Sequence, residues 1–278
     1  MIKKIVLISI IIITSQNIVF SQTKNFELRT SIALAFTPSE EDINTISVSP
    51  LLIFNYNLSA GYLIGAKFGA SYVRLNRKNY EDENSFDIGN IIVRGGLINA
   101  IDYDNIKTDA ALNIGVPLAT FPGNIPSNRL TEFNYNNANN AFGWGDPFIW
   151  LMNVVPITIE ANTKVELNRN LNLLLKVETG YLISVNSRPS GTAIATKIET
   201  KYSFGHLNIR LGWNSYLTST SIENNNYDQN SISIGTDFNL FENEIKADFN
   251  LNIDYPNGLV EKTSKSFWGV VLSYNILK

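Results

Sequence analysis

No cysteine occurs in this 278-residue chain, which excludes thiolate catalysis, cysteine-ligated metals, disulfides and a lipid-modified N-terminal cysteine. Histidine occurs once, as His206. Charge is sparing as well: charged residues make up 17% of the chain, and the net charge is -3 at a pI near 5.3. Without a concentrated basic surface, no nucleic-acid partner is expected. Long apolar runs are also missing. The most continuous one, Ile5 to Ile13, falls short of the roughly 20 residues that a spanning helix needs. It follows Lys3 and Lys4, and the small side chains of Val19 and Ser21 stand before Gln22, the layout of a secretory signal peptide. We therefore expect 1–21 to be a signal peptide and 22–278 to be a single domain.

What the chain does have is alternation. From Leu171 to Val185, Leu171, Leu173, Leu175, Val177, Tyr181, Ile183 and Val185 fall on one face, and Asn172, Lys176, Glu178 and Ser184 fall on the other. That is a strand with one oily and one wet face. It is longer than the five or six residues usual in soluble sheets and than the roughly 9 to 11 needed to cross a bilayer at a tilt. Similar stretches occur at Phe26–Phe36, Thr45–Leu58, Tyr62–Tyr72, Ser85–Leu97, Ile106–Leu118, Ile157–Leu167, Thr192–Tyr202, Leu207–Leu217, Ile232–Leu240, Ile245–Tyr255 and Trp268–Ile276. Aromatics bracket some of them: Phe26 and Phe36, and Tyr62 and Tyr72, are spaced to reach both edges of an apolar band about 25 Å tall. The mean hydropathy of -0.02 fits a chain in which only alternate strand residues face lipid.

The connections alternate short and long. Ser59-Ala60-Gly61, Asp102 to Asn105, Asn168-Arg169-Asn170, Ser203 to His206 and Phe241 to Glu244 are short. Between them come Thr37 to Asp42, Asn76 to Asn84, Phe121 to Trp144, Asn186 to Gly191, Ser219 to Asn230 and Pro256 to Lys265. Bacterial membrane barrels put short turns in the periplasm and long loops outside. The expected fold is therefore an all-β, antiparallel, up-and-down transmembrane barrel of about twelve strands. Its partners would be outer-membrane lipid, the barrel-assembly machinery and a small-molecule solute, with no cofactor. Only the stretch Ser85–Leu97 breaks phase, near Gly89, where a bulge would restore the faces.

If the apolar faces meet lipid, the polar faces line the lumen. The candidates there are Glu160, Lys164, Lys176, Glu178, Glu199, Arg210, Asp237 and Asp248, together with Arg29, Lys67 and others on the same faces. Short-turn register sets Glu160 opposite Glu178 with Lys176 close to both, and Glu199 opposite Arg210. Mixed signs predict a structural ion-pair network or a weakly selective wall along a solute path, unlike the one-sign rings that select ions. A twelve-stranded barrel lies between eight strands, which side chains fill, and sixteen, which leave an open channel, so any pore should be narrow.

The longest loop holds Asn134, Asn136, Asn137, Asn139 and Asn140 among Phe133, Tyr135 and Phe142, and ends at Gly143-Trp144-Gly145-Asp146-Pro147-Phe148. Amides beside aromatics can hold a sugar or an apolar solute, so Tyr135, Phe142, Trp144 and Asp146 are loop candidates. A disordered surface loop is the plainer expectation. The Gly143-Trp144-Gly145-Asp146-Pro147 stretch, ahead of a strand, resembles a segment of outer-membrane barrels grouped with phenol and hydrophobic-compound uptake. That resemblance implies passive passage of small, mostly apolar molecules, with no contact residue carried over.

Catalysis is not expected. Twelve-stranded outer-membrane phospholipases use a Ser-His-Asn arrangement near the outer leaflet, whereas His206 falls in a turn expected at the opposite end. No phosphate loop or metal-ligand motif is present. The leading expectation is a passive outer-membrane channel for small solutes. The alternative is a closed barrel whose external loops bind surface ligands or partner proteins.

Overall fold

The computed structural model describes residues 25–37, 43–58, 61–77, 82–119, 128–185, 190–220, 227–240, 243–253 and 267–277. The expected signal peptide and most of the long loops, including 38–42, 78–81, 121–127, 221–226 and 256–265, lie outside them. In chain order the elements are β1 (Phe26–Thr37), β2 (Ile43–Leu58), β3 (Tyr62–Arg77), β4 (Glu83–Ile88), β5 (Ile91–Tyr103) and β6 (Ile106–Val116). There follow helix α1 (Asn128–Ala141), a single 3-10 turn (Pro147–Ile149), β7 (Val154–Glu166), β8 (Leu171–Ser184), β9 (Gly191–Phe204) and β10 (Leu207–Thr220). The last three are β11 (Tyr227–Leu240), β12 (Asn243–Asn252) and β13 (Phe267–Leu277).

Sequential strands pair antiparallel, and β13 pairs with β1 from Glu27 opposite Leu277 to Phe36 opposite Trp268, closing the sheet into a barrel. Closure leaves no free edge around most of the wall. No described helix is long and apolar enough to cross a membrane.

The wall has twelve positions, because β4 and β5 share one. β4 pairs with the Ala70–Leu75 half of β3, and β5 pairs with the Tyr62–Lys67 half. The phase break near Gly89 is therefore a division into two strands, not the single bulged strand expected. The cause is close packing from inside. A Cβ on Gly89 would lie 2.8 Å from the Ile149 carbonyl, and the Asn90 amide donates to that same carbonyl instead of to a neighbouring strand. The wall here gives up ladder bonds to an inserted segment. The bulge lies further on, between Leu97 and Ile101, where Asn99 takes a positive φ of 51°.

Side-chain alternation sorts as the pattern predicts. Ile159, Leu211 and Ile234 are 63%, 53% and 54% exposed on the outside, whereas Glu160, Arg210 and Asp237 at inward positions of the same strands are 2%, 4% and 0% exposed. Charges this well buried facing inward, with apolar side chains facing outward, make a surface suited to lipid. Two turns are tighter than expected. Phe204 pairs with Leu207 and Leu240 with Asn243, which leaves two residues between the strands in each case. The register consequently places Lys201, not Glu199, opposite Arg210, and Glu199 opposite Gly212. Glu160 does sit opposite Glu178.

Candidate functional site

The mid-chain segment is not a surface loop. Residues 128–153 fill the long-loop half of the lumen, with α1 packed against β1, β2, β3, β4, β12 and β13. Asparagine is a poor helix former, and six of the fourteen residues of α1 are asparagine. Tertiary contacts offset that deficit. The Asn134 amide donates to the Ser71 carbonyl and to Asp87, and accepts from the Ser71 hydroxyl. The Asn250 and Asn252 amides donate to the Ala141 and Asn140 carbonyls, so the open carbonyls of the helix's last turn find their donors on the wall. Tyr135 donates to the Ile88 carbonyl at 2.7 Å. Burial, helped by nearby Asp87, pushes its phenol above the ordinary range, so it remains a donor.

After α1 the chain turns sharply through Gly143 and Trp144, both at φ of 58°. A left-handed tryptophan is costly. It is held by its indole, which stacks on Tyr216 at 5.1 Å and donates to Asn140 Oδ1. Phe148, Ile149, Trp150 and Met152 then pack against Leu51, Ile53, Ile92, Val154, Leu182, Ala193 and Ala195, which are inward-facing wall residues. The fit is close: a Cβ on Gly69 would lie 2.5 Å from the Trp150 ring, and one on Gly269 would lie 2.6 Å from Ala141 Cα. The plug therefore has a core of its own inside the barrel.

Below the plug the character changes. A cavity of about 640 Å³ occupies the short-turn half of the lumen, roofed by Phe142, Gly145 and Asp146 and lined by charged side chains. Asp146 joins plug to wall. Its carboxylate accepts from Lys67 at 2.8 Å and Lys176 at 2.9 Å, with Arg29 at 3.9 Å, while Lys176 also donates to the Gly145 carbonyl. Burial alone would raise the Asp146 pKa, but Lys176, Lys67 and Arg29 outweigh it and hold the group well below the usual carboxylate range. Around this latch, Glu160 is paired with Lys67 at 3.1 Å and Arg94 at 3.0 Å, and Glu178 with Lys176 at 3.5 Å. Asn113 donates to both glutamates, Thr158 to Glu178 and Asn162 to Glu160.

A second network lies on β9–β12, beginning beside β8. Arg210 bridges Glu199 at 3.2 Å, Asp248 at 2.8 Å and Asp237. Lys197 and Lys201 extend it to Glu199 and Asp237, each at 2.8 Å, and Lys246 reaches Glu244 at 3.0 Å.

The structure thus brings Glu160, Lys176, Glu178 and Asp146 into one cluster, and Glu199, Arg210, Asp237 and Asp248 into another. Lys164 stands apart at the cavity rim, paired with Glu166 at 2.6 Å. Tyr135, Phe142 and Trp144 are plug residues, not surface contacts. Sequence reasoning missed Arg94 because the phase break at Gly89 hid its face, and missed Glu244 by assigning it to a turn. Asn113 carried no signal beyond its place in an alternating strand. His206 is exposed in the β9–β10 turn, and among the described residues no cluster of potential metal ligands occurs.

No protein-family model matches the chain, and neither does any curated protein. Solved structures do. The COG4313 outer membrane channel from Pseudomonas putida F1 aligns at a TM-score of 0.60 over 90% of this chain and 94% of its own, with 10% identity. The NanC porin aligns at 0.52 over 90% and 99%, with 7% identity. Likeness at such identity concerns fold, and the fold of this chain is that of the outer-membrane β-barrel channels.

Proposed function

We propose that the chain is a passive, non-enzymatic outer-membrane channel for small solutes, narrowed by the segment 128–153 that sits in its lumen. One observation carries this reading: an open, charged cavity of about 640 Å³ ends at a plug that belongs to the chain itself and meets the wall there through Asp146. A barrel with a purely structural interior has no need of such a cavity. The apolar packing around Trp144 and Trp150, and the resemblance of Gly143-Trp144-Gly145-Asp146-Pro147 to barrels of hydrophobic-compound uptake, favour small, mostly apolar solutes. In this reading residues 1–21 direct export, and the barrel-assembly machinery inserts the chain.

The test is single-channel recording in planar bilayers of the full chain beside a variant lacking Asn134 to Asn140. A conductance that rises on deletion supports a plug-limited channel. A wild type and deletion that are both silent, with no solute flux into liposomes, would sink it. The closed-barrel reading, favoured by the dense core around Trp144 and Trp150, would then stand, and the external loops would become the place to look for ligands.

A further inference from the structure

The cavity under the plug is two-sided in character, and one of its cations is under-used. In the cluster at the roof, Arg29, Lys67, Arg94 and Lys176 surround the carboxylates Asp146, Glu160 and Glu178. Lys67, Arg94 and Lys176 each lie within 3.1 Å of a carboxylate oxygen. Arg29 is different: its approach to Asp146 is 3.9 Å, its side chain is 35% exposed, and its buried Nε has no hydrogen-bond partner. Glu27, two residues along the same face, accepts from the Asn55 amide at 2.9 Å. Arg29 is therefore the most loosely paired cation of this cluster, and it faces the cavity.

Beside Arg29 a few apolar side chains stand in an otherwise polar and charged lining. Arg29 pairs across β2 with Ile53, and Leu51, Val271 and the roof residue Phe142 line the same cavity. A guanidinium with an unpartnered Nε beside an apolar patch, at the head of a cavity of about 640 Å³, offers a small molecule one charged and one apolar contact. A guanidinium prefers a planar, bidentate acceptor such as a carboxylate.

We infer that this cavity is a binding site for small amphipathic monoanions, with the carboxylate of an aromatic or aliphatic acid on Arg29 and its apolar body against the half-buried Phe142 of the roof. The inference rests on the channel reading for its biological sense but not for its test. It names a solute class where the barrel's balanced overall charge would indicate little selectivity.

The experiment is equilibrium dialysis of purified full-length protein in detergent with radiolabelled benzoate, benzyl alcohol and benzylamine, which share a ring and differ in charge. Wild type should bind benzoate about tenfold more tightly than benzyl alcohol, and benzylamine least. Arg29→Gln should erase that preference and Arg29→Lys should keep part of it. Equal binding of the three probes, a preference unchanged in Arg29→Gln, or full displacement of benzoate by equimolar inorganic phosphate would overturn the proposal, the last because the apolar patch would then contribute nothing. Should Arg29→Gln fail to fold, judged by heat-modifiable gel migration, the wild type still decides: the benzoate preference must shrink as salt rises, and a salt-independent preference would refute it. Liposome flux of the same probes separates the two readings. Benzoate binding without flux would leave the site standing and remove the channel; flux without anion preference would do the reverse.

Discussion

The two ion networks of the lumen use the same chemistry to different ends. On β9–β12, Arg210 ties together Glu199, Asp237 and Asp248, and every partner belongs to the wall. On β3–β8, Lys67 and Lys176 share their charge between the wall carboxylates Glu160 and Glu178 and the plug carboxylate Asp146. The first network closes on itself and braces the barrel. The second is completed only when the plug is seated. Buried ion pairs are weak evidence for net stability, but removing one partner is costly, because the other is left charged in a poorly solvated place. Where the partners sit on one rigid element or on two separable ones therefore decides whether such a network is scaffold or latch.

That contrast can be broken at its strongest point first. Arg210→Met takes the cation from Asp248 and leaves Glu199 and Asp237 with Lys197 and Lys201 alone, and we expect a loss of about 3–5 kcal/mol in barrel stability, read as a lowered urea midpoint with single-channel conductance unchanged. A large conductance change in this variant would mean that the second network also gates.

Trp150→Ala removes a fully buried side chain from the plug and leaves a cavity against Gly69. The cost should be about 3–5 kcal/mol at most, less if the plug collapses into the space. It should appear as faster protease cleavage within 128–153, and the transmembrane strands should keep their β-sheet circular dichroism.

Asp146→Asn is the milder cut. Lys67 and Lys176 retain Glu160 and Glu178, so the barrel should hold while plug seating weakens by about 1.5 kcal/mol, roughly a tenfold rise in open time. Current traces indistinguishable from wild type would show that Asp146 is no latch.

The smallest expected effect is that of pH. The Asp146 carboxylate is held below its ordinary value, so its contribution is fully present above the unfolded value of about 3.9 and fades only as pH falls through the lowered folded one. Channel open time should therefore stay flat between about pH 7 and about pH 4.5. Opening that sets in near pH 5 would place the controlling group elsewhere.

Much of the scaffold was legible in the residues. The alternation from Leu171 to Ser184 placed Lys176 and Glu178 inward, and the short turn after Leu167 set Glu160 opposite Glu178, as the pairing of β7 with β8 has it. Two connections were misread as four residues. Gly205 can adopt the positive φ of 60° that a two-residue hairpin turn demands, but a glycine in a polar stretch reads equally well as a longer turn. That shift moved Lys201 into the place expected for Glu199. The division at Gly89 showed in the sequence as a loss of phase, but its cause, the Ile149 carbonyl more than fifty residues away, did not.

By itself, the sequence determined that this chain is a lipid-facing barrel with a mixed-charge interior, because a period of two and the length of each stretch are local properties. Only the tertiary structure decided what fills that interior. The segment 128–141 has an asparagine-rich composition that reads as a solvated loop, and it becomes a buried helix because Ser71, Asn250 and Asn252 supply the partners that water would otherwise provide. Asp146 is likewise an ordinary loop aspartate until closure of the sheet brings Lys67 of β3 and Lys176 of β8 to the same point. Those contacts span some eighty and thirty positions of the chain, and no local pattern records them.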